Sequence, residues 1–439
     1  MAQQTDATGR PARLTKEERS WILYDVANSA FVLIVVTTLM PIFFKGVAAV
    51  DLPGHRSTAL WAYTNSIASI FLAVLAPILG SFADYKGMKK RLFLLFFGLG
   101  VIMTFLFTTI GEGMWQYGMI ITIIGLIGYS GANLFYDSFI TDVTTDERMD
   151  RISTRGYAWG YVGSIVPFAV AFLFILMPGI IGGSQTLATR LAFVITGIWW
   201  FAFSIPLIRN VQQSYFVERE PHPIRGAFRR LGKTFSHIRT YRNAFLFLIA
   251  YFFYIDGVGT IIKMATSYGT DIGMGQTELI LVVLAIQLIA FPFALIYGTL
   301  AKRYSAKAML FVGICVYVVV TVLGFFLPVF QDRTFQRIMF WAMAFLVGTS
   351  QGGIQALSRS FFGTLIPKSR SGEFYGFYNI FGKFAAILGP FLLGIASDLT
   401  GESRYGVLTI VVLFVIGAVV LVFVHRKPER VEDPAVTDV

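Results

Sequence analysis

A single cysteine, Cys315, and four histidines are all the soft metal-binding chemistry in this chain. One thiol permits no intrachain disulfide and no cysteine-based metal site. His55, His222, His237 and His425 fall in loops or at the end of an apolar stretch, which excludes histidine chemistry at mid-membrane depth. Charge is scarce too: Asp, Glu, Lys and Arg make up 14% of the residues against 56% hydrophobic, and the mean hydropathy is +0.68. No soluble fold of 439 residues hides that much apolar surface. Nucleotide motifs are missing as well. The run from Gly376 through Gly382-Lys383-Phe384 ends in Phe where a phosphate loop needs Ser or Thr, and no strand precedes it. Gly257-Val-Gly259 is followed by Ile262 in place of a third glycine. With no zinc motif of the two-histidine type either, no cofactor, metal or catalytic residue is expected, and the chain is not an enzyme.

What is present is apolar length. A hydrocarbon layer about 30 Å thick takes roughly 20 apolar residues per helix, and only helices or closed barrels satisfy their own backbone there. Spans are expected at 20–46, 59–82, 91–112, 115–138, 155–179, 188–209, 243–265, 276–300, 307–330, 336–358, 373–399 and 404–425. The fold class expected is all-α: a polytopic membrane protein of twelve transmembrane helices. The net charge of +11 is explained by its distribution. With the N-terminus placed inside, 28 of the 36 Lys and Arg residues fall in inside segments and six in outside loops. That asymmetry obeys the positive-inside rule, puts both termini in the cytoplasm, and needs no nucleic acid as partner. Met1 to Glu18 lacks the short apolar core and cleavage site of a signal peptide, so the first span is expected to act as the targeting signal.

The sequence repeats weakly at an offset of about 220 residues. Gly80-Ser-Phe-Ala-Asp-Tyr-Lys matches Gly298-Thr-Leu-Ala-Lys-Arg-Tyr; Tyr24-Asp25 resembles Tyr254-Ile-Asp256; Gly160 with Pro167 mirrors Lys383 with Pro390. The organisation expected is a tail (1–19), a six-helix half (20–209), a basic linker (210–242), a second six-helix half (243–425) and a tail (426–439). Parallel halves around a midplane site are a transporter architecture. In the linker, Ile224, Phe228, Leu231, Phe235 and Ile238 recur at helical spacing among Arg225, Arg229, Arg230, Lys233 and Arg239. That pattern fits an amphipathic helix on anionic headgroups, or else a solvated basic linker.

The segment Gly80-Ser-Phe-Ala-Asp84-Tyr-Lys86-Gly87-Met-Lys89-Lys90-Arg91 resembles the signature loop of the major facilitator superfamily, with Tyr85 where that family usually has a basic residue. The resemblance implies a gate formed by Gly80, Asp84 and Gly87. Glycine permits close helix approach, and an aspartate can hold a neighbouring helix N-terminus. A narrower resemblance, over residues 20 to about 425, is to the vacuolar effluxer-like, autophagy-related branch. It is carried by Trp21-Ile-Leu-Tyr-Asp25-Val-Ala-Asn28-Ser29-Ala30-Phe31, Tyr254-Ile-Asp256-Gly257, Gln355-Ala-Leu-Ser358-Arg359-Ser360 and Gly382-Lys383 with Gly389-Pro390. It implies a bacterial-type member in the inner membrane, and efflux as the direction.

Ionisable residues inside spans cost roughly 2.5–3.5 kcal/mol on insertion scales, so they mark cavities and tasks. Asp256 and Lys383 lie nearest mid-span, either as a structural ion pair or as a proton carrier with a counter-charge or substrate-carboxylate anchor. Asp25 and Asn28 share a face of the first span, and Asp137 lies at the inner end of the fourth. Arg359, closing the tenth span, reads as a snorkelling interface anchor with a gating role. The function expected is secondary active transport of a small polar solute, an amino acid or related metabolite, coupled to protons, by a monomer in contact with membrane lipid. Transport of a lipid or amphiphile, and a sensor or intramembrane enzyme, are the alternatives.

Overall fold

The computed structural model describes residues 13–218, 221, 226–229, 232–233, 241–271, 274, 276–400 and 403–425. Its long elements are all helices: α1 (Lys16–Ala48), α2 (Gly54–Ala83), α3 (Met88–Leu106), α4 (Trp115–Ser138), α5 (Asp146–Leu176), α6 (Gln185–Asn210), α7 (Arg242–Asp271), α8 (Gln276–Arg303), α9 (Ala306–Phe326), α10 (Arg333–Gly363), α11 (Ser371–Thr400) and α12 (Ser403–Val422). Helix α1 opens on a capping box, in which the Thr15 hydroxyl accepts from the Glu18 amide at 3.1 Å and the Glu18 carboxylate accepts from the Thr15 amide at 3.0 Å. Its outer part widens into π-helical turns at Phe31–Leu39 and Phe44–Ala48, on either side of Pro41. Large apolar side chains such as Val74, Leu95, Phe391 and Leu399 face outward, the reverse of a water-soluble surface. The chain is an integral, polytopic, all-α membrane protein.

Ten helices among the described residues are long and apolar enough to cross a membrane, where the sequence suggested twelve. The two outside that set are α10 and α11, of 31 and 30 residues. Helix α10 is as long as its neighbours but interrupted by Gln351, Gln355 and Arg359, and α11 includes side chains that lie outside the described residues. Other helices start earlier than their apolar stretches. Helix α5 begins at Asp146, nine residues ahead of the span expected from 155, because hydropathy marks the hydrocarbon crossing and the helix projects beyond it.

Helices α1 to α6 pack mainly on one another, as do α7 to α12. The two sets meet where α2 lies on α11 and where α5 lies on α8 and α10, with α4 also touching α11. The described cross-contacts gather toward one end of the bundle, here the basic face, which bears Lys89, Arg148, Arg359 and Arg370. At the α2–α11 crossing the helices touch backbone to backbone. A Cβ on Gly376 would lie 2.7 Å from the Ala76 carbonyl oxygen, and one on Gly80 would overlap the Gly372 carbonyl. Only glycine allows this approach. Gly376→Val is expected to wedge α11 from α2 and cost about 1–3 kcal/mol, as overpacking does, read as a lowered midpoint in thermal unfolding of the detergent-solubilised protein.

Candidate functional site

At the basic face the side chain of Arg359, on α10, is only 2% exposed, so it does not snorkel as the sequence suggested. It crosses to the other set of helices. Nη2 donates to Asp25 Oδ2 on α1 at 3.0 Å, and Nη1 donates to Asp137 Oδ1 on α4 at 3.3 Å. Nε donates to Ser153 Oγ on α5 at 3.0 Å, and Nη2 also reaches the Ser153 carbonyl at 3.2 Å. The guanidinium carbon sits 4.5 Å from the ring centres of Trp21 and Tyr157 and 5.5 Å from that of Tyr136. Trp21 and Tyr136 are themselves stacked at 4.6 Å, and the Trp21 indole N–H donates to the Tyr136 carbonyl. Space for the pair comes from Gly156: a Cβ there would collide with Asp25 Oδ2 and lie 3.2 Å from Arg359 Nη2. One cation therefore ties three helices of the first set to α10, within hydrogen-bond and stacking distance of six side chains.

A second cross-connection uses the α2–α3 loop. Asp84 accepts from the Gly372 amide at 2.7 Å and the Glu373 amide at 3.0 Å. These are orphan donors of the first turn of α11, where a carboxylate also meets the positive end of the helix dipole. Gly87, with φ of 71°, turns the chain into α3. Next to it Lys89 is fully buried; its ammonium donates to Asp142 Oδ2 at 2.6 Å and to Ser371 Oγ at 2.8 Å. Asp142 also receives the Ser214 and Tyr215 amides at 2.8 and 3.0 Å. The strand-like segment after α6 is thus fastened to the loop: Val217 donates to Asp84 O at 2.8 Å, and Lys86 donates back to Val217 O at 3.2 Å.

The mid-span residues sit apart from this face. Lys383 Nζ donates to Ser130 Oγ on α4 at 2.9 Å, another link between the two sets. Asp256, fully buried on α7, faces α11 at Gly389, where a Cβ would lie 2.9 Å from its Oδ1. Gly389 is six residues, about 9 Å along the helix, beyond Lys383. Asn28 Nδ2 donates to Asn133 Oδ1 at 3.0 Å. Of the residues singled out from sequence, Asp25, Asp137 and Arg359 come together, and Gly80 and Asp84 meet the α11 N-terminus. Asn28 bonds Asn133, Lys383 reaches Ser130, and Asp256 faces Gly389. The side chain of Lys263, which shares a helix with Asp256, and most of the amphipathic pattern at 224–238 lie outside the described residues. Ser153, Asp142, Ser130 and Tyr157 were not legible as site residues from sequence alone.

Two stretches, residues 53–146 and 141–433, match the family model described as vacuole effluxer Atg22 like. The uncharacterized MFS-type transporter YxiO of Bacillus subtilis (strain 168) is 48% identical over 418 residues, covering 94% of this chain and 96% of that one. Among solved structures, the proton:xylose symporter XylE superposes with a TM-score of 0.70 at 13% identity, over 95% of this chain and 98% of that one. The transporter FucP in its outward conformation gives 0.67 at 14%, over 94% and 98%. These likenesses establish the fold as that of the major facilitator superfamily.

Burial pushes the Asp84 carboxyl up to about 7, with Glu373 adding to the rise, while Lys89 and the two amide bonds pull it down. A carboxyl that holds its proton more tightly when buried than when exposed takes one up on closing. Closing is therefore progressively favoured as pH falls below 7 toward the ordinary carboxylate range, by up to about 1.4 kcal/mol per pH unit, and does not change with pH well above 7. Spin labels on Lys86 and Ser369 are expected to report more of the short distance at pH 5 than at pH 8, and Asp84→Asn to flatten the dependence. A short-distance population that grows with pH would reverse the assignment.

Proposed function

We propose that this chain, which belongs to the Atg22-like vacuole effluxer family of the major facilitator superfamily, moves a small polar solute coupled to protons. As a family member it is a secondary active transporter of a small molecule, working by alternating access, and not an enzyme. The finer reading is an amino acid or related metabolite, with efflux as the direction and the basic face toward the cytoplasm of a bacterial inner membrane. In this reading the chain crosses the membrane twelve times, in two pseudo-symmetric six-helix halves, 20–209 and 243–425. Support comes from the packing: α2 on α11 is repeated by α8 on α5, and Gly298, the sequence match of Gly80, lies directly against Thr154.

The observation that carries the coupling is Arg359 shared between Asp25 and Asp137 across the closed face. Opening that face withdraws the cation from two carboxylates in a poorly hydrated site. An uncompensated buried charge is costly, so each carboxylate must be met by another positive charge, and protons supply it. Asp84 and the α11 N-terminus act as the gate beside it, with Gly80 and Gly87 setting its shape. Lys383, reaching across to Ser130, is the anchor for a solute carboxylate, and Asp256 and Asn28 line the route at the depth of the bilayer.

The test is solute accumulation in proteoliposomes under an imposed pH gradient, with an amino-acid mixture read by mass spectrometry. Asp137→Asn is expected to lose gradient-driven accumulation by tenfold or more, about 1.4 kcal/mol, while keeping solute exchange. Lys383→Ala is expected to raise KM for the solute by a similar factor with less effect on the maximal rate. Wild-type accumulation that ignores the pH gradient would remove the proton from the reading.

A further inference from the structure

The pocket around Arg359 divides unevenly between the two sets of helices. Trp21 and Asp25 come from α1, Tyr136 and Asp137 from α4, and Ser153 and Tyr157 from α5; the second set supplies the guanidinium and, from α11, Asn379 hydrogen-bonded to Asp137. Two carboxylates and three ring faces form the chemistry that recognises a small organic cation, by charge-assisted hydrogen bonds and cation–π contact. The geometry here is already tuned to a planar one. Two rings sit 4.5 Å from the guanidinium carbon, and carboxylates meet separate nitrogens at 3.0 and 3.3 Å.

Movement of α10 away from α1, α4 and α5 would leave this lining intact and empty, facing the basic side with a formal charge of −2. We propose that the vacated cage binds a small organic cation carrying a guanidinium or primary ammonium group, and that Arg359 is a tethered competitor that expels it when the face closes. The proposal rests on the alternating-access reading above and narrows the solute to one with a cationic end. Proton and solute then compete for the same pair of carboxylates, so one or the other offsets the cage's negative charge whenever Arg359 is out. Seven residues along α4, about 10 Å, separate Asp137 from Ser130 and its partner Lys383, so a solute with an anionic head and a cationic tail finds both charges answered.

Equilibrium binding of radiolabelled methylguanidinium to the purified full chain tests this directly. Arg359→Ala is expected to bind it about tenfold or more tightly than the wild type, and Asp25→Asn added to that variant to abolish the gain. Asp84→Ala, which keeps the cage and Arg359 but loosens the gate, is expected to strengthen binding as well, and it serves where Arg359→Ala does not fold. Displacement by methylammonium but not by acetate is the expected selectivity. No gain in either variant, with each monodisperse and helical, overturns the cage while leaving proton-driven transport to stand on its own assay. Binding that follows the expected pattern in a protein whose transport ignores pH leaves the cage standing and removes the coupling instead.

Discussion

A guanidinium cannot give up its charge, so when a chain buries one it has to bring anions to it. Arg359 is that constraint here. It is buried, and its carboxylate partners lie on helices from the far side of the interface. Removing one partner of such a buried pair typically costs about 3–5 kcal/mol, far more than a surface ion pair contributes. The arrangement of α1, α4, α5 and α10 at the basic face follows from this need: Gly156 makes room, Ser153 accepts two further N–H donors at its hydroxyl and carbonyl, and the Trp21 and Tyr157 rings each lie 4.5 Å from the guanidinium carbon.

The neighbouring connection through Asp84 works by different means. There the partner is backbone, two amides at the start of α11, and the charge is answered partly by a helix end and partly by Lys89 nearby. A backbone partner cannot be lost by rotamer change, whereas the Arg359 cluster depends on long side chains keeping their conformations. One connection fixes the registry of α2 against α11; the other answers to whatever charge is available. A transporter that must close reliably and open on a chemical cue has use for both kinds.

Much of the architecture was legible in the sequence because lipid imposes it. Apolar runs and basic loops locate helices and ends without knowledge of any contact, and they placed α1 through α9 and α12 within a few turns. Helix α10 carries more polar groups than a plain crossing, since Gln351 and Arg359 belong to the interface and not to lipid. Residue type at depth singled out Asp25 and Asp137, yet could not pair them with Arg359: positions 25, 137 and 359 meet only through tertiary packing. It also misjudged Arg359 as an interface anchor, because a span-end arginine looks the same in sequence whether it turns out to water or in toward acids. Ser153 and Ser130 carried no signal, being ordinary small residues in helices until a cation is set against them.

The segment after α6 is fastened at Val217 to the loop that bears Asp84, and by the Ser214 and Tyr215 amides to Asp142. Further along, Ala227 is buried and its carbonyl accepts from the Ser81 hydroxyl of α2 at 3.3 Å. The chain joining the two sets of helices therefore stays attached to the first set well beyond the end of α6 at Asn210, and its points of attachment lie beside the gate.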